Sequence, residues 1–522
     1  LADSEDLFGE DVHLDDSQKN ALDRLDQQLR AVDRARREIQ MGRSAGMAFS
    51  YETRFGPTMG SDGFDLIVTN PPWVRAHRID SSRRHILKNR YRAFSRDLWP
   101  SAESLGIRTP FGPQIDLAAL FLERSLELLR PGGRLCALVP AKLLRSLHGC
   151  GIRTQLAEHD VISIEDYSDA DRTLFDATVY PAVLHVGRRA SPRRRKGPSQ
   201  SDRPRVPTDV AVWRGEDRSC WKMPPARLPA QSGEPGSPWL LVEPEVSDIF
   251  EKMRSTSKLL GQTSALAPQR GLFTGCNEVF IGPRDAHRRR LGEQHADCSR
   301  PVIRGRDVRA WEIDPADEIL WGYDESASIC EDVPESFRAY FEAHRERLEG
   351  RSDYRESLPL WQVYRVKPGV TGPKVVWRDL SPKLEAAFAG PEVIPLNTVY
   401  FVAFEEEATA RAFELLLNSE PVRAYAYALA ERARGGWRRH FSWVMRMLPV
   451  PEAFLQHLAS HSGGAPFGGP EWGLSLLGST DDRRQLARWH SADWFGLSER
   501  ELVRLENWRL GAECPTVERM GA

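Results

Sequence analysis

The tetrapeptide Asn70-Pro71-Pro72-Trp73 combines residue types that can activate an amine on a flat ring. The exocyclic amine of adenine is a poor nucleophile because its lone pair is delocalised, and two acceptors on its N–H groups would draw the nitrogen toward tetrahedral geometry. The side-chain oxygen of Asn70 and the carbonyl of Pro71 are such acceptors, held by the two prolines. The indole of Trp73 offers a face for an extruded base. The chemistry predicted requires neither a metal nor a covalent enzyme intermediate.

The apolar run Phe64-Asp65-Leu66-Ile67-Val68 directly precedes this tetrapeptide and predicts a buried β-strand. Residues 70–73 would then follow the carboxyl end of a strand, where open α/β sheets bind their ligands. An isolated Asn-Pro-Pro is common as an ordinary turn. The preceding strand is therefore what favours a functional interpretation.

Helix and strand patterns alternate beyond this point. Residues 115–130 have apolar residues at helical spacing, and Pro131-Gly132-Gly133 is predicted to end that helix. Residues 135–139, 161–167 and 178–186 are predicted strands. This alternation predicts an α/β domain with a mostly parallel sheet.

The series from residue 62 to residue 141 resembles the TaqI-like adenine-specific (N6) DNA methyltransferases, which occur in restriction–modification and phage-defence systems. The shared features are the Asn-Pro-Pro-Trp tetrapeptide, a helix, a Pro-Gly-Gly turn and a strand that ends in Val139-Pro140. The resemblance implies a Rossmann-like class I methyltransferase domain. It also implies methyl transfer from S-adenosyl-L-methionine to an adenine flipped out of duplex DNA, with the tetrapeptide as the catalytic residues.

Two further positions take candidate roles from the same resemblance. Asp116 would line the cofactor or substrate pocket, whereas the plainer interpretation is a charge at a helix N-terminus. Phe175 would contact the flipped base from a later loop, and a core phenylalanine is the alternative.

The cofactor's principal binding motif is missing from the sequence before Asn70. Such enzymes bind S-adenosyl-L-methionine with a glycine-rich turn after a strand, because glycine lets the backbone approach the cofactor. Only Leu7-Phe8-Gly9-Glu10-Asp11 hints at the associated acidic motif. We expect the missing motif to lie before residue 1 or on a second polypeptide, so that catalysis by this chain alone is weak or absent.

A second region resembles the target-recognition domain of the same family. The matching phrases lie at residues 270–280, 303–308, 396–402, 417–419 and 448–451. Four basic residues in this region, Arg304, Arg306, Lys374 and Arg378, are candidate contacts to DNA phosphates or guanines. For each of them, an ordinary surface charge is the alternative.

The sequence thus predicts an incomplete Rossmann-like α/β domain followed by a mixed α/β recognition domain and a short helical tail. We place the partial methyltransferase domain at 1–190, a basic and Pro/Gly-rich linker at 191–239, the DNA target-recognition domain at 240–455 and the tail at 456–522. Residues 17–39 are predicted to form one helix.

Composition restricts the class of protein only loosely. The chain has 522 residues, a net charge of −2 and seven cysteines, no two of which are closely spaced. Neither a CxxC zinc site nor a disulfide framework is indicated, and we predict no metal. No apolar run of membrane-spanning length and no secretion leader occur, so the prediction is a cytoplasmic protein without a membrane partner. The expected partners are duplex DNA, the polypeptide with the cofactor motif and restriction or defence subunits.

Two other functions remain open at this stage. A catalytically inactive DNA-binding specificity module, or a subunit of a split enzyme, would explain the missing cofactor motif. A methyltransferase acting on RNA or on protein glutamine is the third possibility, because those enzymes also carry an NPP[YFW] motif.

Overall fold

The computed structural model describes residues 55, 63–95, 98–107, 115–170, 180–189, 205–292, 298–460 and 478–511. The chain divides into two compact units, Leu1–Phe64 and Asp65–Ala522. The predicted helix at 17–39, the motif at 7–11 and Phe175 lie outside the described residues. The elements described lie in the second unit, except that its first strand begins at Phe64.

The described strands are numbered in chain order. They are β1 Phe64–Thr69, β2 Leu129–Pro140, β3 Asp160–Ala170, β4 Pro181–Gly187, β5 Thr208–Gly215, β6 Asp217–Met223, β7 Ser257–Leu259, β8 Gln269–Arg270, β9 Ile281–Gly282, β10 Ser299–Ile303, β11 Val308–Arg309, β12 Glu312–Ile313, β13 Asp317–Leu320, β14 Lys374–Arg378, β15 Leu380–Ser381, β16 Ala386–Ala389, β17 Ile394–Pro395, β18 Val399–Ala403, β19 Glu431–Arg432, β20 Arg438–Arg439 and β21 Pro449–Pro451.

The described α-helices are numbered in the same way. They are α1 Ser81–Arg90, α2 Ser101–Ser104, α3 Leu117–Leu128, α4 Lys142–Arg145, α5 Cys150–Ala157, α6 Pro244–Ser255, α7 Asn277–Phe280, α8 Arg284–Leu291, α9 Glu335–Glu342, α10 Arg345–Glu349, α11 Glu407–Asn418, α12 Glu420–Leu429, α13 Ser442–Arg446, α14 Glu452–Ser460, α15 Thr480–Phe495 and α16 Glu499–Leu510.

A six-stranded sheet carries the predicted catalytic segment, in the order β1-β2-β4-β3-β5-β6. Strand β4 runs antiparallel to both β2 and β3, β3 is parallel to β5, and β6 runs antiparallel to β5. The sheet is therefore mixed, and the prediction of a mostly parallel sheet was wrong in this respect. The strands at 161–167 and 178–186 were predicted to within a few residues.

Strand β1 lies at the end of this sheet and is not buried as the sequence predicted. The side chains of Leu66 and Val68 point to the same face and are 58% and 72% exposed. The sequence predicted burial because these apolar side chains alternate along the strand. That pattern does not show whether another element covers the face. Among the described residues, no strand adjoins the outer side of β1.

Helix α3 forms as predicted but ends before the Pro-Gly-Gly turn. Asp116 is its N-cap, and the carboxylate accepts a hydrogen bond from the amide of Ala118 at 3.2 Å. The helix ends at Leu128, and the turn residues 131–133 lie within β2. Gly132 has a φ of +83°, a left-handed conformation that glycine adopts without strain.

The predicted linker at 191–239 needs a correction. Strands β5 and β6 fall inside it and extend the catalytic sheet, because β5 pairs with β3 over residues 209–215. Side chains from residues 99–150 and from 230–508 share one apolar core, so the predicted boundaries at 239 and 455 fall within a continuous structure.

The predicted recognition region contains a second apolar core, built around β10, β14 and β18 with the helix α9. A four-stranded antiparallel sheet of order β16-β14-β18-β8 separates this core from the first one. Alternate side chains of β14 show this: Val375 and Trp377 join the first core, whereas Val376 joins the second. The sheet thus fixes the recognition region against the catalytic sheet.

Two helices, α15 and α16, lie within the region predicted to be a helical tail, and both pack against the first core. Trp494 and Trp508 are buried in the first core, whereas Trp489 is 66% exposed. None of the helices in the described ranges combines the length and the apolar character needed to cross a bilayer.

Candidate functional site

The tetrapeptide lies directly beyond β1, on a loop at the end of the catalytic sheet. Asn70 and Pro72 are exposed, Pro71 is buried and Trp73 is half-buried. An exposed amide beside a buried proline lets the Asn70 side chain meet a ligand while the backbone is held in place. The Asn70 side chain is therefore accessible at this end of the sheet, although none of the four residues borders a described cavity.

Main-chain hydrogen bonds fasten the loop to the start of α3. The amide of Ala76 donates to the carbonyl of Ile115 at 2.7 Å, and the amide of Leu117 donates to the carbonyl of Val74 at 2.8 Å. Arg75 and Asp116 stand opposite each other in this short antiparallel bridge. The residues that follow Trp73 are therefore positioned by the N-terminus of a helix.

Asp116 is a charge at a helix N-terminus, which was the alternative to a role in the pocket, and it also borders a cavity. Its carboxylate caps α3 and lies 2.8 Å from the Nζ atom of Lys142, although the side chain is only 2% exposed. A cap ties the carboxylate to the helix, and the lysine neutralises it. Any role for Asp116 toward a ligand must therefore act alongside these two contacts.

The larger cavity, of about 960 Å³, lies beside this loop. Residues that border it come from the loop after β1, from α4 and the turn that follows, and from β20 and α13 of the recognition region. Its cationic side chains outnumber its two carboxylates, Asp116 and Glu431, and the cations are Arg75, Lys142, Lys367, Arg439 and Arg446. A cavity with this excess of positive charge attracts anions.

Two buried groups on the wall have shifted pKa values. Burial lowers the pKa of His148 to about 4, with repulsion from Arg75 and Lys142 as smaller causes, so the imidazole is neutral at pH 7. Burial also raises the pKa of Glu431 above its ordinary value, against the attraction of Arg439. Both shifts follow from burial, which disfavours the charged form of each group.

A smaller cavity of about 220 Å³ adjoins the same wall. It shares Arg75, Lys142 and Arg439 with the larger cavity and adds Arg145 and Arg432. Of these residues, Arg439 belongs to a basic, aromatic turn at residues 435–439, which is visible in the sequence. For Arg75, the available signal is its position two residues after Trp73.

Three of the four predicted DNA contacts are at least partly accessible. Arg304 bonds to Asp317 at 2.5 Å and is 25% exposed, and Arg378 is 15% exposed and 3.7 Å from Glu385. Arg306 is 67% exposed, and its ion pairs within the described residues are long contacts of 3.4 and 3.5 Å to two carboxylates. Arg306 is therefore the most available of the three.

The structure contradicts the predicted DNA contact at Lys374. The side chain is fully buried, and its Nζ atom donates to the carbonyls of Gly390 at 2.6 Å and Val393 at 3.0 Å. Burial lowers its pKa to about 7. Lys374 thus bonds to the backbone of the recognition region and is not presented to a ligand.

The described residues do not complete a site for S-adenosyl-L-methionine. Of the strands that end near the cavities, β1 is followed by the tetrapeptide and β2 by Ala141 and α4, with no glycine-rich turn after either in the described ranges. The carboxylate of Asp116 already has two partners. Within the same ranges, no group of three or more His, Cys, Asp or Glu side chains is arranged to hold a metal ion.

Comparison with known families identifies the first third of the chain. Residues 10–173 match the model of the Eco57I restriction-modification methylase family. The segment includes the tetrapeptide, α3 and β2, which are the features that carried the resemblance. That resemblance is confirmed for this segment.

Relatives among characterised proteins are distant. The chain is 23% identical over 399 residues to the Type II methyltransferase M.PaeR7I of Pseudomonas aeruginosa, over 74% of this chain and 64% of that protein. It is 24% identical over 401 residues to the Type II methyltransferase M.XhoI of Xanthomonas vasicola, over 74% of this chain and 68% of that protein. The chain therefore spans about two thirds of the length of these relatives.

Among solved structures, the chain resembles the Type IIL restriction-modification enzyme MmeI in complex with DNA. The TM-score is 0.51 at 12% sequence identity, and the match covers 87% of this chain and 57% of that chain. A likeness at this identity shows a shared fold, which extends from the catalytic sheet through the recognition region.

Proposed function

We propose that this chain, whose residues 10–173 match the model of the Eco57I restriction-modification methylase family, is the catalytic-motif and specificity region of an adenine-N6 DNA methyltransferase. Its activity would be transfer of a methyl group from S-adenosyl-L-methionine to an adenine flipped out of duplex DNA. The domain that contains the catalytic sheet would be the second half of a class I methyltransferase fold. A cytoplasmic restriction–modification or phage-defence system is the setting that this activity fits.

The observation that carries the proposal is the exposure of Asn70 on a fixed loop. The side chain follows the end of β1 and is exposed, while Pro71 next to it is buried and the following residues are pinned to α3. A polar amide held open at the end of a sheet strand has no part in packing. It is suited to a ligand that must be bound in one orientation.

In the proposed reaction, the chain's own residues position and polarise the adenine amine. The Asn70 side-chain oxygen and the Pro71 carbonyl each accept a hydrogen bond from one N–H group of this amine. These two hydrogen bonds raise the electron density on the nitrogen. Trp73 stacks on the extruded base and excludes water from one face. The proton that the amine releases leaves on the side of the two acceptor oxygens, where Asn70 is exposed to solvent.

The recognition region and the basic cavities provide the proposed DNA-binding surface. Arg306 is the best-exposed candidate among the predicted contacts, and Arg75 and Arg439 line both cavities. Arg304 and Arg378 would contribute after exchanging their present carboxylate partners. Phosphate contacts of this kind position DNA without reading its sequence.

We also propose that a segment outside the described residues supplies the cofactor motif. Leu66 and Val68 on the outer strand β1 are largely exposed, which leaves an apolar surface beside the tetrapeptide. Covering such a surface is favourable by about 25 cal/mol per Å². Added strands at this edge would place a glycine-rich turn next to Asn70.

The proposal is tested by expressing the complete reading frame that contains this chain in a host that lacks DNA methylation. Genomic DNA is then sequenced at single-molecule level for modified bases. We expect N6-methyladenine at one recurring sequence. N4-methylcytosine would contradict adenine specificity, and modified RNA or protein with unmodified DNA would contradict DNA as the substrate.

A catalytically inactive DNA-binding specificity module is the second candidate function. The observation in its favour is the incomplete cofactor site among the described residues. Unmodified genomic DNA from that host, combined with sequence-selective DNA binding by the purified protein, would establish this alternative. Calorimetric titration with S-adenosyl-L-methionine separates the two further, because an inactive module is expected not to bind it.

A further inference from the structure

The smaller cavity, of about 220 Å³, concentrates positive charge between the catalytic sheet and the recognition region. It is bordered by the turn after β2, the end of β3 and the strands β19 and β20. One carboxylate, Glu431, borders it, together with five cationic side chains: Arg75, Lys142, Arg145, Arg432 and Arg439. The lining by itself therefore carries an excess of positive charge.

Carboxylates behind the wall neutralise only part of this charge. Arg145 pairs with Asp166 at 2.5 Å, and both side chains are at least 97% buried. Arg432 lies 3.4 Å from Asp169, which is shared with the buried Arg438 at 3.0 Å. Two arginines thus compete for a single carboxylate, so one cation of this group is uncompensated.

The positive charge at the outer rim of the cavity is balanced by even fewer carboxylates. Lys142 is paired with Asp116, but the side chains of Arg75 and Arg439 form no hydrogen bond or ion pair with any residue in the described ranges. Glu431 is the carboxylate that borders the same cavity, and burial raises its pKa above the ordinary value. The guanidinium of Arg439 lies over the ring of Phe441, 5.4 Å from its centroid, and Arg75 is exposed. Two guanidinium groups that have no ion pair in the described part of the chain favour an anion at the mouth of this cavity.

Buried donors in the wall provide a second, independent observation. The Nε atoms of Arg145 and Arg432 are buried and have no hydrogen-bond partner within the described part of the chain. Buried N–H groups without an acceptor are unfavourable, and small shifts of these side chains would turn them to an anion's oxygen atoms. Planar guanidinium groups are well matched to the paired oxygens of a phosphate.

The position of the cavity suggests what the anion is. Arg75 stands two residues after Trp73, which limits the separation of their Cα atoms to about 7 Å. An anion held by Arg75 would thus lie in the neighbourhood of a base stacked on Trp73, although Trp73 itself borders neither cavity. The larger cavity shares Arg75 and Arg439, so a strand can continue from one cavity to the other.

We propose that the smaller cavity binds a backbone phosphodiester of the DNA strand that carries the extruded adenine. Arg75 and Arg439 hold the phosphate at the mouth, and Arg145 and Arg432 provide the positive wall behind it. The proposal rests on the proposed function, since it takes duplex DNA as the ligand. Free inorganic phosphate or pyrophosphate offers the same chemistry and is the other source that the experiment must separate.

The test measures binding of a short mixed-sequence DNA duplex to the 522-residue chain by fluorescence anisotropy over a range of KCl concentrations. For B-DNA, the slope of log K against log salt changes by about 0.9 for each phosphate contact. Arg439→Gln and Arg75→Gln should each lower the steepness of this slope by about one. Arg500→Gln removes the same charge from an exposed position on α16 and should leave the slope unchanged.

Thermal melting of each variant checks that the fold is retained, and the two arginines are tested separately so that one folded variant is enough. Calorimetric titration with inorganic pyrophosphate is the second arm.

Slopes for Arg75→Gln and Arg439→Gln equal to that of Arg500→Gln would overturn the proposal. So would pyrophosphate binding that is lost in Arg439→Gln while the DNA slope stays the same. Failure of the unmodified chain to bind DNA at all would instead contradict the proposed function.

Discussion

Lys374 and Arg439 are both cations on strands of the recognition region, but their surroundings give them opposite roles. Lys374 is fully buried and donates to two carbonyls, whereas Arg439 borders two cavities and has no ion pair in the described part of the chain. A sequence shows the charge of each residue but not the face of the strand on which it lies. For this reason the sequence predicted a DNA contact at Lys374, where the structure buries the side chain.

Burial of Lys374 has a measurable effect on stability. Its folded-state pKa of about 7 is below the ordinary 10.5, so the unfolded chain binds an extra proton between these values. Stability should therefore rise with pH from about 7 toward 10, by up to about 1.4 kcal/mol per pH unit from this group. Lys374→Met should remove that part of the slope in urea unfolding at pH 7 to 9 and leave DNA affinity unchanged.

Lys258→Met is the matched control for this prediction, because Lys258 is exposed on the short strand β7. Its pH slope should equal that of the unmodified chain. An unchanged slope in Lys374→Met, or a loss of DNA affinity confined to it, would show that the lysine is protonated and turned to solvent.

At the scale of elements, β1 shows how far a local pattern can be trusted. The sequence predicted its position to within one residue, because five residues with four apolar side chains are followed by two prolines. It did not reveal the exposure of Leu66 and Val68, since exposure depends on which elements lie alongside. For the same reason, β5 and β6 were assigned to a linker although they continue the sheet.

The exposed face of β1 gives a prediction about assembly of the cofactor site. Val68 is 72% exposed, so Val68→Lys should change the free energy of unfolding of the 522-residue chain by less than about 0.5 kcal/mol. The same change should sharply reduce adenine methylation by the complete protein, because a charge would be buried when the cofactor-bearing segment packs there. Urea unfolding and genomic methylation measure the two effects.

Val206→Lys is the control for Val68→Lys, because Val206 is 60% exposed just before β5, away from the edge formed by β1. Methylation should survive this change. If Val68→Lys methylates as well as Val206→Lys, then no segment covers β1 in the working enzyme.

For the whole molecule, buried ion pairs join the catalytic sheet to the recognition region. Asp169 at the end of β3 pairs with Arg438 on β20 and Arg432 on β19, and Arg438 also lies 3.6 Å from the ring centroid of Tyr427. Residues far apart in the sequence form this contact. No local pattern in either segment could have predicted it, and it adds to the apolar core that the two regions share within residues 65–522.

Removing the shared carboxylate should weaken this junction. Asp169→Asn leaves two buried arginines with less compensation, and we expect a loss of about 3–5 kcal/mol at pH 7. The neighbouring arginines hold the pKa of Asp169 well below its ordinary 3.8, outweighing the opposing effect of burial. The contribution is therefore complete above about pH 4 and is lost as the pH falls below that value.

Urea unfolding at pH 7 and at acidic pH measures this contribution. Asp481→Asn is the control, because Asp481 is 82% exposed and its pair with Arg484 should contribute less than about 1 kcal/mol. Equal stabilities of the two variants at pH 7 would show that the buried pairs do not hold the two regions together.

The most direct test of the account is the substitution Asn70→Ala in the complete protein, with Asn89→Ala on the exposed surface of α1 as its control. Loss of one preorganised acceptor should lower the rate of adenine methylation by about 10²–10³-fold. DNA affinity should stay within about twofold, because phosphate contacts dominate binding. Methylation at the control rate, or an equal loss of methylation and DNA binding, would contradict the assignment of Asn70 as the group that orients the adenine amine.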